Sequence, residues 1–213
     1  MREGVVDSNP GKQVRLNRKP RKLPYTLSHN DIKILLDIDI DCHSPIDVRN
    51  HAIMELLYSS GIRLSELIQI SINDIDLDDK MLMVLGKGMK VRYVPFGSIA
   101  ANSINAWIEV RSQLAKKSEK ALFVGERGRR ICRSVVQGLV KEVSEKAIHK
   151  RVYPHLLRHT CATHLLESSG DLKGVQEILG HVSIRTTQIY THLDISHVKK
   201  IYRKTHPRSK MKV

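Results

Sequence analysis

One change of hydrophobic period divides this chain. From Ile32 to Gln69, and again from Ile99 onward, apolar residues recur at spacings of three and four, whereas between them Met81-Leu82-Met83-Val84-Leu85 and Val91-Arg92-Tyr93-Val94 are β-prone runs flanking Gly86-Lys87-Gly88. Spacings of three and four place side chains on one face of a helix, while β-rich runs around a glycine-bearing turn make a hairpin. The pattern predicts a mainly helical α+β fold with one small antiparallel sheet and Lys87 at the tip of its hairpin.

Local signals mark the helix ends. Ser28 stands three residues before Asp31, a capping-box start for a helix carrying Ile32, Leu35 and Leu36. A second helix runs from Pro45 through Ile53, Leu56 and Leu57 to Gly61, and a short third covers residues 65–69. Beyond the hairpin, Ile104, Trp107, Ile108 and Leu114 share a helical face, and Leu122-Phe123-Val124 reads as an isolated extended piece. Further helices are predicted over residues 134–147, 154–168, 171–179 and 195–202, with Pro154 in a first turn, Gly170 after an end and Asp171 as a cap. Residues 1–22 mix Gly4, Pro10, Gly11 and Pro20 with Arg15, Arg18, Lys19, Arg21 and Lys22, the composition of a basic linker or arm.

Charge narrows the partners. Lys and Arg number 36 against 22 Asp and Glu, a formal net charge of +14, and the chain is 41% hydrophobic, enough for a full core. Residues 31–80 are acidic on balance, so the positive excess lies in the first 22 residues and after residue 80. Aromatic residues make up only 4%, too few for a single-strand stacking platform, so a basic face for duplex phosphates is favoured over a merely solvated surface. Cys42, Cys132 and Cys161 are odd in number and without paired spacing, which fits a reducing, cytoplasmic setting. No apolar run approaches the roughly 20 residues that span a bilayer, so no membrane partner is expected.

Several residues could carry chemistry, each with a plainer reading beside it. His155 and Arg158 share a helix face and could grip one anion, or simply face solvent. Arg63 sits at a tight helix junction three residues before Glu66, where it could be only a helix-end cation. Lys87 could be turn decoration, and Tyr190 could fill a core. Together they supply what metal-free phosphoryl transfer needs: a nucleophile, forked cations for the non-bridging oxygens, and an acid for the leaving oxygen.

The order of the motifs carries a resemblance. Gly61-Ile62-Arg63-Leu64-Ser65-Glu66-Leu67, Gly86-Lys87-Gly88, His155-Leu156-Leu157-Arg158-His159, Leu179-Gly180-His181 and Thr186-Thr187-Gln188-Ile189-Tyr190-Thr191-His192 resemble the tyrosine recombinase (phage integrase) family. The resemblance implies the DNA breaking-rejoining enzyme fold, with a catalytic domain over residues 23–207, a basic linker over 1–22 and a basic tail over 208–213. It implies that Tyr190 is the nucleophile forming a 3′-phosphotyrosine, that Arg63 and Arg158 clamp the scissile phosphate, and that Lys87 protonates the 5′ leaving oxygen, with Lys90 as the fallback acid. His155 and His181 would assist proton transfer and bind phosphate, Glu66 would orient Arg63, and neither cofactor, metal nor ATP is required.

The stretches Leu166-Glu167-Ser168-Ser169-Gly170-Asp171-Leu172, His206-Pro207-Arg208-Ser209-Lys210 and Asn9-Pro10-Gly11-Lys12 are similar to the bacterial branch that resolves chromosome dimers. That branch works on a specific double-stranded DNA site as two plus two subunits of paired paralogues, under a DNA translocase, and implies that the segment with Ile195, Val198 and Ile201 docks on a neighbouring subunit rather than its own domain. The paired paralogue and a mobile-element integrase are the rivals within the family. Relatives begin with a core-binding domain, and this sequence starts inside what resembles its last segment, so weaker, salt-sensitive DNA binding is expected. Two other classes compete: a metal-dependent nuclease using His155, His159, His164, His181 and His192, and a DNA-binding module without catalysis.

Overall fold

The computed structural model describes residues 25–86, 91–179, 199, 202, 203 and 205–209. Seven α-helices lie among them: α1 His29–Leu36, α2 Pro45–Ser60, α3 Leu64–Gln69, α4 Ser98–Val110, α5 Arg133–Ile148, α6 Pro154–Ser169 and α7 Leu172–Leu179. Between α3 and α4, strands β1 Ile75–Asp76, β2 Met81–Leu85 and β3 Val91–Pro95 form an antiparallel sheet in the order β1-β2-β3. The expected mainly helical fold with a small sheet is what the chain adopts. Most of the helix expected over 195–202 lies outside the described residues.

Helix ends follow the local chemistry. Ser28 Oγ accepts from Asp31 N at 3.1 Å while Asp31 Oδ2 accepts from Ser28 N at 3.1 Å, closing the capping box of α1. Gly61 and Gly170 end α2 and α6 in the left-handed region, at φ 59° and 64°. Asp171 Oδ1 accepts from Gly174 N at 3.0 Å as α7 begins. Two details differ from the sequence expectation. A third strand, β1, adds two residues that show no alternation, and α4 stops at Val110, where the chain tightens into a 3-10 turn over Arg111–Gln113 before Leu114.

The core is organised on α2. Eleven of its residues are buried, on every side, because α1, α4, α5 and α6 all pack around it. Its polar groups find distant partners: Arg49 Nη1 donates to Val124 O at 3.0 Å, and the Tyr58 hydroxyl meets His164 Nδ1 at 2.9 Å. The extended piece over residues 122–124 threads the same core, its carbonyls taken by Trp107 Nε1 at 2.9 Å, Ile131 N at 3.1 Å and Arg49. The hairpin register pairs Leu82 with Val94 and Val84 with Arg92, which directs these four side chains to the buried face.

The described part of the C-terminal segment packs on its own domain. The Tyr202 hydroxyl donates to Ser59 O at 2.9 Å and lies 2.7 Å from Ser59 Oγ. Arg208, at the start of the expected basic tail, is buried and reaches Asp37 Oδ1 at 2.7 Å and Glu55 Oε1 at 3.1 Å. Burial pushes the Glu55 carboxyl up to about 7 against the opposing pull of Arg208. A carboxyl raised above its ordinary value of 4.5 favours folding in its protonated form, so that contribution is present below 4.5 and lost as pH rises through 7. Glu55→Gln should therefore gain stability relative to the parent, by on the order of 2–3 kcal/mol, between pH 4.5 and 8. Denaturant unfolding at both pH values checks this; a pH-independent difference between the two proteins would contradict it.

Candidate active site

The site is built where three helix ends meet. Gly61 closes α2 with φ 59°, and a Cβ placed there would stand 2.7 Å from Leu179 Cδ2 and 3.1 Å from Cys161 Sγ. Glycine is needed twice over, for the backbone conformation and for the close approach of α6 and α7. Two residues later Arg63 is the N-cap of α3.

Arg158 draws the same ends together from α6. One terminal nitrogen, Nη1, donates to Gly61 O, and Nη2 donates to Leu179 O at 2.7 Å. These are the C-terminal carbonyls of α2 and α7, where the helix dipoles favour a cation. Burial lowers the guanidinium pKa to about 10, helped by the like charge of Arg63 and opposed by Glu66, so Arg158 remains charged at neutral pH. Leu179 precedes His181 by two residues, so Arg158 holds the backbone from which the fourth motif departs.

Beneath Arg63 lies one saturated carboxylate. Glu66 Oε2 accepts from Arg63 N at 2.8 Å and Oε1 from Arg63 Nη1 at 2.9 Å. Arg92, reaching in from β3, donates Nη1 to Oε1 at 2.8 Å and Nη2 to Oε2 at 2.9 Å. Burial alone would raise the Glu66 pKa, but the hydrogen bonds from Arg92 and Arg63 hold it down to about 2. Glu66 is thus a permanent anion with its lone pairs filled, and the Arg63 side chain above it stays 39% exposed. Three guanidiniums around one carboxylate leave the junction positive, suited to a single phosphate group.

His155 lies one turn before Arg158 on α6 and is exposed. Lys87, His181 and Tyr190, together with the fallback Lys90, lie outside the described residues; the structure gives only the strands that flank Lys87 and the end of α7 that precedes His181. Arg92 is the residue that sequence reasoning missed. Period two was the available signal, because it places Arg92 on the same inward face as Val94, where an arginine needs a buried acid.

The histidine-metal alternative finds no support in the described geometry. His155 and His159 share a face, but His164 points into the core, with Nδ1 on the Tyr58 hydroxyl and Nε2 on Leu27 O at 3.0 Å. Among the described residues the only group of three with ligand atoms close together is His29, His164 and Glu167, and there both ring nitrogens of His164 are already engaged. Cys161, buried beside the junction, is no nucleophile, since burial pushes its thiol up to about 12.

Comparison with known proteins gives the family. Residues 25–197 match the model of the phage integrase family. The tyrosine recombinase XerC of Alcanivorax borkumensis is 44% identical over 211 residues, covering 98% of this chain and 69% of that protein. Among solved structures, XerA recombinase superposes with a TM-score of 0.68 at 34% identity, covering 86% of this chain and 65% of that one. XerH bound to palindromic difH substrate in a post-cleavage complex gives 0.67 at 27% identity, covering 85% and 53%. The chain belongs to the phage integrase family of tyrosine recombinases, and it spans between half and about two thirds of the length of these relatives.

No helix among the described residues is long and apolar enough to cross a membrane. Because Gly61 is in contact on both sides, Gly61→Ala should cost about 2 kcal/mol or more from left-handed strain plus overpacking. Chemical denaturation of the two proteins measures it; equal midpoints would show that the junction relaxes around the added methyl group.

Proposed function

We propose that this chain is the catalytic part of a site-specific tyrosine recombinase of the XerC type, which cuts and rejoins duplex DNA through a 3′-phosphotyrosyl intermediate. The observation that carries the reading is the convergence of Arg63 and Arg158 on one helix junction, with Glu66 fixing the first and two helix carbonyls fixing the second. Arg63 and Arg158 bind the non-bridging oxygens of the scissile phosphate and stabilise its pentacoordinate transition state. The Tyr190 oxygen attacks phosphorus, the 5′ oxygen leaves with a proton from Lys87, and the 5′ hydroxyl of the partner strand later reverses the step. His155 and His181 assist proton transfer and hold phosphate oxygens.

The bond energy stays in the phosphotyrosine, so this reading requires no metal, ATP or other cofactor, and the chemistry parallels that of type IB topoisomerases. The fit to XerC relatives across nearly the whole chain supports a role in resolving chromosome dimers at cell division, in the cytoplasm. Its partners would be a specific duplex site, a XerD-like recombinase in a two-plus-two tetramer, and a DNA translocase as activator. Residues 23–207 form the catalytic domain in this proposal.

A duplex selected by the chain from a randomised pool, nicked beside its cleavage position, should trap a covalent adduct. The adduct should form in EDTA and disappear in Tyr190→Phe; binding without an adduct would leave only a DNA-binding module, and loss in EDTA would favour metal-dependent cleavage. Replacing the 5′ bridging oxygen with sulfur creates a leaving group that needs no proton. That substrate should restore cleavage to Lys87→Ala but not to Arg158→Ala, and equal behaviour of the two variants would remove Lys87 as the acid.

A further inference from the structure

The β2–β3 hairpin leaves the body of the protein abruptly. Its last paired residues, Leu85 and Val91, are 48% and 45% exposed, whereas Arg92, one residue further in, is 6% exposed. Arg92 and its cross-strand neighbour Val84 are therefore the last buried residues before the connection over residues 86–90 that contains Lys87, and of the two Arg92 carries the polar anchor. Its partner is not another strand residue but Glu66 of α3, held through both terminal nitrogens at 2.8 and 2.9 Å. Each oxygen of that carboxylate also accepts one bond from Arg63. One carboxylate thus joins the root of the hairpin to the first arginine of the junction through four hydrogen bonds, two from the fork of Arg92 and two from the backbone N and Nη1 of Arg63.

We propose that Arg92 is a positioning residue that registers the Lys87 hairpin against Arg63 through Glu66, so that leaving-group protonation and phosphate binding are set by a single buried ion cluster. The proposal rests on the recombinase reading of Lys87 and Arg63. Arg92 touches no reacting atom in this scheme. Its effect is geometric: the bidentate fork prevents β3 from rocking about a single hydrogen bond, and displacement of an acid by about 1 Å costs on the order of a hundredfold in rate. Lysine preserves the charge opposite Glu66 but offers no planar fork, so it removes the registration while avoiding an uncompensated buried carboxylate.

Arg92→Lys is to be compared with the parent chain on the nicked duplex selected above, prepared with oxygen or with sulfur at the 5′ bridging position. Arg92→Lys should bind the duplex within about threefold of the parent and cleave the oxygen substrate at least about tenfold more slowly. On the sulfur substrate, which needs no acid, its rate should return to within about threefold of the parent. Parent-like rates on both substrates, or equal losses on both, would overturn the role, the latter because a purely structural effect on Arg63 or on folding would not distinguish the leaving groups. If Arg92→Lys does not fold, Arg92→Gln, which leaves Glu66 in place to hold Arg63, carries the same comparison and the same two outcomes. Failure of the parent itself to form the Tyr190 adduct defeats the recombinase reading, whereas a normal parent beside an unaffected Arg92→Lys defeats only this inference.

Discussion

The guanidinium of Arg158 decides how the helices around the junction can end. A cation buried to this degree costs several kcal/mol unless its donors are matched, and here the match comes from carbonyls that the ends of α2 and α7 leave without helical partners. Each feature solves the other's problem. The arrangement also fixes two exit points at once, because the chain leaves α2 toward Arg63 and leaves α7 toward His181. Gly61 suits this junction, since it takes the left-handed conformation without strain and leaves room for the Leu179 and Cys161 side chains.

Two buried glutamates show that hydrogen bonding decides whether burial sets a carboxyl group's charge. Glu66 and Glu55 are both almost inaccessible to solvent, yet one is held at about 2 and the other pushed to about 7. Glu66 receives four N–H donors from two arginines in matched geometry. Glu55 lies 3.1 Å from Arg208, but neither of its oxygens has a hydrogen bond among the described residues. Burial therefore dominates at Glu55 and is overcome at Glu66. The contrast suits their places, one a fixed anion beneath the candidate site and the other in the seam where the C-terminal segment packs.

Much of the fold was legible in the sequence where the physics is local. Ser28 with Asp31, Pro154, Gly61, Gly170 and Asp171 mark helix ends because a cap is satisfied within a few residues of chain. The hairpin was legible because two β-rich runs around glycines leave few alternatives. Strand β1 was not, since two residues in an acidic stretch carry no period and exist as a strand only because β2 lies alongside. The burial of α2 on all sides was hidden for a related reason. Arg49, Glu55, Tyr58 and Ser59 carry polar groups that only partners far away in sequence, such as His164 for Tyr58, allow to be buried.

The same division runs through the site. The order and spacing of Arg63, Lys87, His155, Arg158, His181 and Tyr190 were sufficient to indicate the family, because residue types at fixed intervals are a property of the chain itself. How Arg63 is held, why Arg158 points between two helix ends, and that Arg92 belongs with them depended on tertiary structure. Those facts concern which buried donor meets which buried acceptor, and that matching exists only after helices distant in sequence have packed against one another.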